Sequence, residues 1–299
     1  MRLHPLLGIL AIGLGPAIVS GASLDWMGHT WTVTTGGMAG SNTGSAANVV
    51  VDSSGYLHLR ISQSGGKWMC AELFSNDAMG FGTYQWQVDG PIDRMDKNVV
   101  LGLYPYGPQG GIGADGTNEI DIEYSRWGNA TWPDGNYTVY PNSGTQVRDT
   151  TFEFGLGGGS LATATLFWNQ SSVKEWTQSG LHALGDSAGM LGKWVYAPSN
   201  PATNLPQRAM PLGMNLWLCD GCGGAPSDGK PVDIVLRKFV QVPLGASAIQ
   251  NGSPRVAAGA RTFQFLDHGG VVRLGSESGS AGRVTVFDLT GRIVASGIR

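Results

Sequence analysis

The residues best suited to chemistry form a short acidic stretch near the middle of the chain. There Glu119, Asp121 and Glu123 alternate with two isoleucines. Successive side chains of a β-strand point to opposite faces, so the three acids share one face and the isoleucines the other. Neighbouring acids repel one another, and an edge strand with a solvated acidic face is one way to tolerate them. The isoleucines favour a second arrangement, in which their face is buried and the acids line the open face of a sheet.

The spacing of the two glutamates suits catalysis by a pair of carboxyl groups. Four residues of strand separate the Cα atoms of Glu119 and Glu123 by about 13 Å at about 3.3 Å per residue. The side chains can lean towards each other and approach the roughly 5–5.5 Å separation of a retaining glycosidase. Asp121 between them can hold a proton or a hydrogen bond and separate the pKa values of the glutamates.

Aromatic side chains near this stretch could line the same cleft. They are Tyr104, Tyr106, Trp127, Trp132 and Trp217. Aromatic rings that face the surface of a sheet also arise as packing pairs between neighbouring strands. The sequence leaves open whether these rings contact a ligand or one another.

The composition indicates a turn-rich β protein. Of 299 residues, 47 are glycine and 14% are charged, against about 7% glycine and about 25% charged residues in average domains. A helical bundle would need more glutamate, lysine and leucine and far fewer glycines. The net charge of −3 argues against a nucleic-acid partner, which normally needs a basic face.

Short alternating runs, broken by Gly, Asn, Asp and Ser, continue from residue 23 to about residue 242. Ten of them suit strands: residues 48–52, 57–61, 82–88, 99–104, 119–124, 136–140, 164–168, 172–176, 214–218 and 232–239. Their number and spacing predict an all-β fold, a sandwich or jelly roll whose strands are joined by turns.

The first 22 residues are typical of a secretory signal peptide. Arg2 precedes an apolar stretch from Leu6 to Val19, and the small residues 20–22 resemble a cleavage site after Ala22. A membrane anchor fits less well, because glycines and a proline interrupt an apolar run shorter than about 18 residues. We therefore expect a secreted protein without a membrane span, whose mature chain begins at Ser23.

Export would favour a disulfide among Cys70, Cys219 and Cys222. The last two have the spacing of a redox motif, but no βαβ pattern surrounds them and no histidine lies nearby to complete a zinc site. Cys219 paired with Cys222, and Cys70 paired with either, both remain open. We expect no metal centre.

Composition also divides the mature chain into a large and a small part. Residues 23–243 contain the predicted sheets, and residues 244–260 are small, polar and turn-prone, which is typical of a linker. Residues 261–299 contain strand-like runs at 262–266, 271–274 and 283–288. This part is too short to bury much core, so we expect a small C-terminal β appendage.

The Glu-x-Asp-x-Glu pattern of residues 119–123 resembles the signature of glycoside hydrolase family 16, the concanavalin-like jelly-roll β-glucanases. The resemblance covers about residues 23–242 and extends to residues 81–84 (FGTY), 98–106 (NVVLGLYPY) and 214–217 (MNLW). The signature has no inserted residue, which resembles the lichenase and xyloglucan-active branch of the family.

The resemblance implies a retaining endo-β-glucanase that acts on β-1,3-1,4 (mixed-linkage) or related β-glucans. By this resemblance Glu119 would be the nucleophile, Asp121 the assisting acid and Glu123 the general acid/base. It also implies sugar-stacking platforms and further substrate contacts, namely Tyr104, Tyr106, Trp127, Asn215 and Trp217. A monomer without a cofactor is expected, and a structural calcium ion would be compatible with this fold.

Two other functions remain open. A non-catalytic carbohydrate-binding jelly roll would use the same cleft without turnover. A transglycosylase acting on β-glucan or xyloglucan would pass the glycosyl group to a sugar in place of water. The intact acids favour an enzyme over a binding module.

The C-terminal part resembles a second kind of module. Residues 284–292 (VTVFDLTGR) are similar to the C-terminal sorting domains of bacteria with type IX secretion. An ordinary β appendage is the alternative.

Overall fold

The structure is a computed structural model that describes residues 21–107, 116–143 and 147–244, together with four strands between residues 263 and 298. The chain divides into two compact units, Met1–Ala246 and Ser247–Arg299. Most of the expected signal peptide (residues 1–20) and of the expected linker (residues 245–260) lies outside the described residues. Among the described residues, no helix has the length and apolar character needed to cross a membrane.

Almost all regular elements of the first unit are β-strands, which confirms the predicted all-β class, and each of the ten predicted runs overlaps a strand. In chain order the strands are β1 (Ser23–Trp26), β2 (His29–Val33), β3 (Gly36–Gly37), β4 (Thr43–Gly44), β5 (Val49–Val51), β6 (Leu57–Ser64), β7 (Lys67–Met69), β8 (Ala71–Met79), β9 (Gly82–Asp89), β10 (Val99–Pro105), β11 (Glu119–Tyr124), β12 (Gly135–Tyr140), β13 (Arg148–Phe152), β14 (Leu161–Trp168), β15 (Val173–Ser179), β16 (Met190–Tyr196), β17 (Met210–Leu218) and β18 (Val232–Pro243). A short α-helix, α1 (Pro201–Asn204), and a 3-10 helix (Ala46–Asn48) complete the elements described in this unit.

Two large antiparallel sheets contain most of these strands. The front sheet has the order β1-β2-β8-β17-β10-β11-β12-β13. The back sheet has the order β16-β15-β14-β9-β18-β6-β5, with β7 paired to β6. The acidic strand β11 therefore lies inside the front sheet, between β10 and β12.

The core lies between the two sheets and determines which face of β11 points outward. Ile120 and Ile122 of β11 are fully buried in one cluster with Trp86 of the back sheet. Burial of an isoleucine side chain contributes about 1.5–3 kcal/mol. The hydroxyl groups of Tyr124 and Tyr137, both in the front sheet, hydrogen-bond to Thr177 of the back sheet. The hydrophobic face of β11 is thus held against the back sheet, and the acidic face is turned away from it.

Six strands of the large sheets, β1, β2, β7, β8, β13 and β16, are not predicted from the sequence. Strand β13 is a mostly exposed edge strand with the sequence RDTTF, so it lacks a run of apolar residues. In β8 the sequence SNDA interrupts the apolar alternation. These strands are formed by pairing with neighbours far along the chain, and local sequence patterns carry little of that information.

The structure decides between the cysteine pairings that the sequence leaves open. Cys219 and Cys222 form a disulfide in the loop after β17, and Cys70 is a buried free cysteine. Burial raises the pKa of the Cys70 thiol to about 12, which keeps this sulfur in its unreactive protonated form.

In the described residues of the second unit, four strands form two antiparallel pairs. Strand β19 (Phe263–Asp267) pairs with β20 (Val272–Ser276), and β21 (Arg283–Phe287) pairs with β22 (Ile293–Ile298). The three runs predicted in this part overlap the first three strands. The fourth strand is not predicted, because residues 293–298 (IVASGI) include a serine and a glycine that weaken its pattern.

Candidate active site

Two residues with a left-handed backbone conformation lie on either side of β11. Asn118, directly before the strand, has a φ of 56°, and Trp127, in the loop after it, has a φ of 48°. Residues other than glycine rarely adopt such values. The side chain of Asn118 donates a hydrogen bond to the carbonyl oxygen of Asn142 at 3.1 Å. The backbone N–H of Trp127 donates to Oγ of Ser125 at 3.0 Å. These bonds hold the turns at both ends of the acidic strand.

The three acids share the outer face of the front sheet. Glu123 lies opposite Gly102 of β10 and Asn136 of β12. Asp121 is 5% exposed, and its carboxyl group shares a hydrogen bond with that of Glu119. Strand β11 is not a solvated edge strand, because other strands pair with it on both sides.

Burial and repulsion between the acids raise the pKa values of Asp121 and Glu123. Burial raises the pKa of Asp121 well above its usual range, and the charges of Glu119, Glu123 and Glu175 add to the increase. Burial also raises the pKa of Glu123 to about 8, with a further contribution from the charge of Glu119. Both carboxyl groups therefore retain a proton at neutral pH. A protonated carboxylic acid in this position can donate a proton to a bound ligand.

A glycine opens space beside Glu123. A Cβ atom at Gly102 would lie 2.5 Å from Oδ1 of Asn215 on β17, so the glycine allows this amide to approach the acids. Within the described ranges, Asn215 Oδ1 is buried without a hydrogen-bond partner, and so is the indole Nε1 of Trp217. Unpartnered buried polar atoms are uncommon in folded proteins. Here they provide an acceptor and a donor for a ligand that carries hydroxyl groups.

A fourth carboxyl group, that of Glu72 on β8, lies on the same cross-strand row of the front sheet as Glu123. The hydroxyl of Tyr104 donates to Oε1 of Glu72 at 3.1 Å and accepts a hydrogen bond from Nδ2 of Asn215 at 3.0 Å. Burial raises the pKa of Glu72, and hydrogen bonds from Thr34, Tyr104 and Asn215 oppose the increase.

The sequence does not predict Glu72 as a site residue, because β8 is not predicted as a strand. The available signal was the pair Ala71 and Leu73, two apolar residues on either side of Glu72 that are both fully buried. Period-two alternation of this kind is typical of a strand with one buried face.

The ring of Tyr104 is not positioned to stack against a sugar ring. The residue is only 6% exposed, and its ring packs edge-on against Phe74 and Tyr106, with centroid distances of 5.9 and 6.0 Å. Little of the ring face is free for a sugar. Its place in the network with Glu72 and Asn215 assigns Tyr104 a hydrogen-bonding role.

Solved structures of other proteins share this arrangement of sheets, whereas no protein-family model and no curated protein matches the sequence. The β-glucanase of Bacillus licheniformis is similar with a TM-score of 0.54 and 20% identity, over 75% of this chain and 99% of that one. A β-1,3-glucanase from Mycobacterium marinum gives a TM-score of 0.53 and 20% identity, over 71% and 89% of the two chains. A pseudo β-1,3-glucanase of Mycobacterium tuberculosis gives the same values. The chain has the β-glucanase jelly-roll fold.

Aromatic rings flank the acids of this β-glucanase fold. Trp127 and Trp217 are in contact, with ring centroids 6.1 Å apart and planes at 73°. Tyr106 forms an isolated backbone bridge with Glu119, and Tyr140, which the sequence does not single out, lies opposite Glu119 on β12. Burial, followed by the charges of the three acids, raises the pKa of Tyr140, so its hydroxyl remains a hydrogen-bond donor.

The arrangement can therefore support proton transfer and nucleophilic attack by carboxyl groups. Tyr106 is bridged to Glu119, Asn215 lies at Gly102 opposite Glu123, and Trp217, two residues beyond Asn215, contacts Trp127. In the residues that the structure describes, no group of three or more His, Cys, Asp or Glu side chains is arranged to hold a metal ion.

Proposed function

We propose that this chain is a secreted, endo-acting glycoside hydrolase that cleaves β-glucan with retention of configuration. The observation that carries the proposal is the set of three carboxyl groups on the outer face of β11, two of which have raised pKa values. The β-glucanase fold supports it, as do the unpartnered atoms of Asn215 and Trp217 beside the acids.

The first step is the cleavage of a glycosidic bond. A carboxylate oxygen of Glu119 attacks the anomeric carbon while the bond from that carbon to the leaving oxygen breaks. Glu123 gives its proton to the leaving oxygen, and its raised pKa supports this role as a general acid. The product is a covalent glycosyl-enzyme with Glu123 ionised.

The second step is hydrolysis of this intermediate. Glu123 now accepts a proton from water as the oxygen of that water attacks the anomeric carbon, and Glu119 leaves as a carboxylate. Asp121 keeps its proton throughout and donates a hydrogen bond to Glu119. This bond stabilises the ionised form of Glu119 before attack and after release.

For the substrate, we propose mixed-linkage β-1,3-1,4-glucan or a related β-glucan. The similar structures from Bacillus licheniformis and Mycobacterium marinum are a β-glucanase and a β-1,3-glucanase. The rings of Trp127 and Trp217 offer apolar surface to the C–H groups of a pyranose, and Asn215 offers an amide oxygen to its hydroxyl groups.

A non-catalytic carbohydrate-binding module is the second candidate. One observation favours it, namely that a similar structure is described as a pseudo β-1,3-glucanase. The fold by itself therefore does not separate an enzyme from a binding module. The acids support the enzyme, because a binding module has no need for a protonated Glu123 beside a second carboxyl group.

Incubation of the protein with soluble β-1,3-1,4-glucan, β-1,3-glucan and xyloglucan tests these functions, with the Glu119→Gln variant as control. New reducing ends of initial β configuration, absent with the control, would support the retaining hydrolase. Redistributed chain lengths without net new reducing ends would identify a transglycosylase. Binding without any change in the polymer would contradict the proposal in favour of the module.

A further inference from the structure

Beyond the carboxyl end of β11, three loops surround an open groove of about 630 Å³. Its walls include Lys97 from the loop before β10, Trp127 and Trp132 from the loop after β11, and Asp220 from the loop after β17. Of the residues that line it, Trp127 alone also belongs to the group proposed to contact sugar beside the acids.

Hydrogen bonds hold the three loops together. The side chain of Asn98, which is buried, donates to the carbonyl oxygens of Cys222 at 3.0 Å and Ala225 at 2.9 Å. The carboxylate of Asp96 accepts the backbone N–H of Ser227 at 2.8 Å. The N–H of Gly128 donates to the carbonyl of Lys97 at 2.7 Å. Because these bonds are made within the protein, the groove is largely formed before a ligand binds, which favours affinity.

The groove combines aromatic surface with polar groups. Trp132 is 47% exposed, which is unusual for a side chain that gains free energy by burial. Trp127 is held in a left-handed conformation that costs energy, and such conformations cluster at ligand sites. Lys97 and Asp220 line the same groove, and neither forms an ion pair with another described residue.

Carbohydrate fits these features better than other ligand classes. A sugar ring has an apolar face for an indole ring and hydroxyl groups for an ammonium or a carboxylate. A wholly apolar ligand would remove Lys97 and Asp220 from water without compensation. A nucleic acid is disfavoured by the net charge of −3 and because, among the described residues that line the groove, Lys97 is the single cation.

A saccharide bound over the acids can reach this groove. Trp127 lines the groove and contacts Trp217, which lies two residues beyond Asn215 on β17. Four residues separate Glu123 from Trp127, so their Cα atoms are at most about 14 Å apart at about 3.6 Å per residue. A polymer bound over the acids can therefore also contact the groove.

We propose that this groove is a second saccharide-contact site, which binds sugar units of a β-glucan beyond those at the acids and favours polymers over short oligosaccharides. The inference rests on the proposed function in taking a β-glucan as the ligand. Trp132 provides its main apolar surface, and Lys97 and Asp220 provide polar contacts.

Calorimetric titration of Glu119→Gln protein, which retains the groove, tests the proposal. The probes are a soluble β-1,3-1,4-glucan polymer and a trisaccharide with the same linkages. Trp132→Ala should weaken polymer binding about tenfold, the order expected for losing one aromatic contact, and leave trisaccharide binding unchanged. Trp132→Phe, which keeps a ring, should retain most of the affinity. Val195→Ala, on an exposed position of β16, is the matched control and should bind as the parent does.

Each outcome of the titration decides the proposal. Unchanged polymer binding by folded Trp132→Ala protein, or equal losses for polymer and trisaccharide, would overturn it. If Trp132→Ala does not fold, Lys97→Met takes its place, with an expected several-fold loss for the polymer alone. If the Glu119→Gln protein binds neither probe, both the proposed function and this inference are contradicted. If the parent binds the polymer but the wild-type protein never hydrolyses it, the proposed function alone fails.

Discussion

Two of the regions in which this protein buries carboxyl groups differ in their surroundings. On the outer face of β11, Asp121 shares a hydrogen bond with Glu119 and has Glu123 two residues away on the same face. On the inner face of β15, Glu175 is fully buried in the core, and neither of its carboxyl oxygens has a hydrogen-bond partner among the residues described. Burial raises the pKa in both regions.

The difference shows that a raised pKa does not by itself identify a catalytic group. Glu175 lies between Leu166 and Trp194 of the neighbouring strands. The hydroxyl groups of Tyr124 and Tyr137 point to Thr177 and not to Glu175. A protonated acid without access to a ligand has no partner for proton transfer. The acids of β11 have such access, because Glu119 and Glu123 on the outer face are only partly buried, whereas Glu175 is fully buried.

The largest expected effect separates the roles of the two glutamates. Glu119→Ala should abolish turnover of an activated aryl β-glycoside, because the covalent intermediate no longer forms. Azide should then occupy the vacated space and give the inverted α-glycosyl azide. Glu123→Ala should still form the intermediate, since a good leaving group needs little acid, and azide should release the β-glycosyl azide. The products can be distinguished by NMR.

Glu175→Ala serves as the control for that experiment, since it also removes a buried carboxyl group. If it folds, it should hydrolyse the aryl glycoside without azide. Identical azide products from the two β11 variants, or rescue of neither despite normal folding, would contradict the assignment of roles.

The pH dependence of kcat/KM should show the second largest effect. Glu123 must be protonated to act as the acid, and its pKa is about 8. The rate should therefore fall about tenfold per pH unit above about pH 8. Glu175→Gln should leave this alkaline limb in place, because it replaces a neutral acid with a neutral amide. An alkaline limb that moves in this variant would show that Glu175 belongs to the site.

A third effect concerns stability. The pKa of Glu175 is raised in the folded protein, so above about pH 4.5 the unfolded carboxyl is ionised while the folded one keeps its proton. The free energy of unfolding should therefore decrease with pH, by up to about 1.4 kcal/mol per pH unit from this group. Glu175→Gln removes that contribution, so its stability relative to wild type should increase from pH 4 to pH 7. Urea unfolding at both pH values measures this, and a difference that does not change with pH would contradict the buried, neutral state of Glu175.

The smallest effect concerns Glu72, a buried carboxyl whose hydrogen bonds are satisfied. Tyr104→Phe removes the hydroxyl that donates to Glu72 and accepts from Asn215. Loss of a partner for a buried polar group costs about 1–3 kcal/mol, which thermal unfolding would detect. Tyr124→Phe is a matched control that removes a hydroxyl from the core side of the front sheet. If Tyr104 acts on ligands through this network, only Tyr104→Phe should raise KM for a β-glucan, and equal KM values would restrict Tyr104 to a structural role.

The amino-acid pattern was sufficient to predict the strands with clear alternation. Residues 119–124 correspond to β11, because side-chain alternation follows from the extended backbone of the strand itself. Residues 99–104 correspond to all but the last residue of β10 as a short apolar run that is buried throughout. The pattern was not sufficient for β8, whose nine residues include a polar run. Glu72 was therefore not predicted as a site residue, although it lies on the same cross-strand row as Glu123.

By itself the sequence determined that Glu119, Asp121 and Glu123 share one face, since period two is a local property of any strand. Only the tertiary structure decided that this strand is flanked on both sides, that Gly102 and Asn215 lie beside the acids, and that Cys219 pairs with Cys222. It also decided that Glu175 is directed into the core. These features depend on contacts between residues far apart in the chain, and the burial that shifts a pKa arises only when the two sheets pack together.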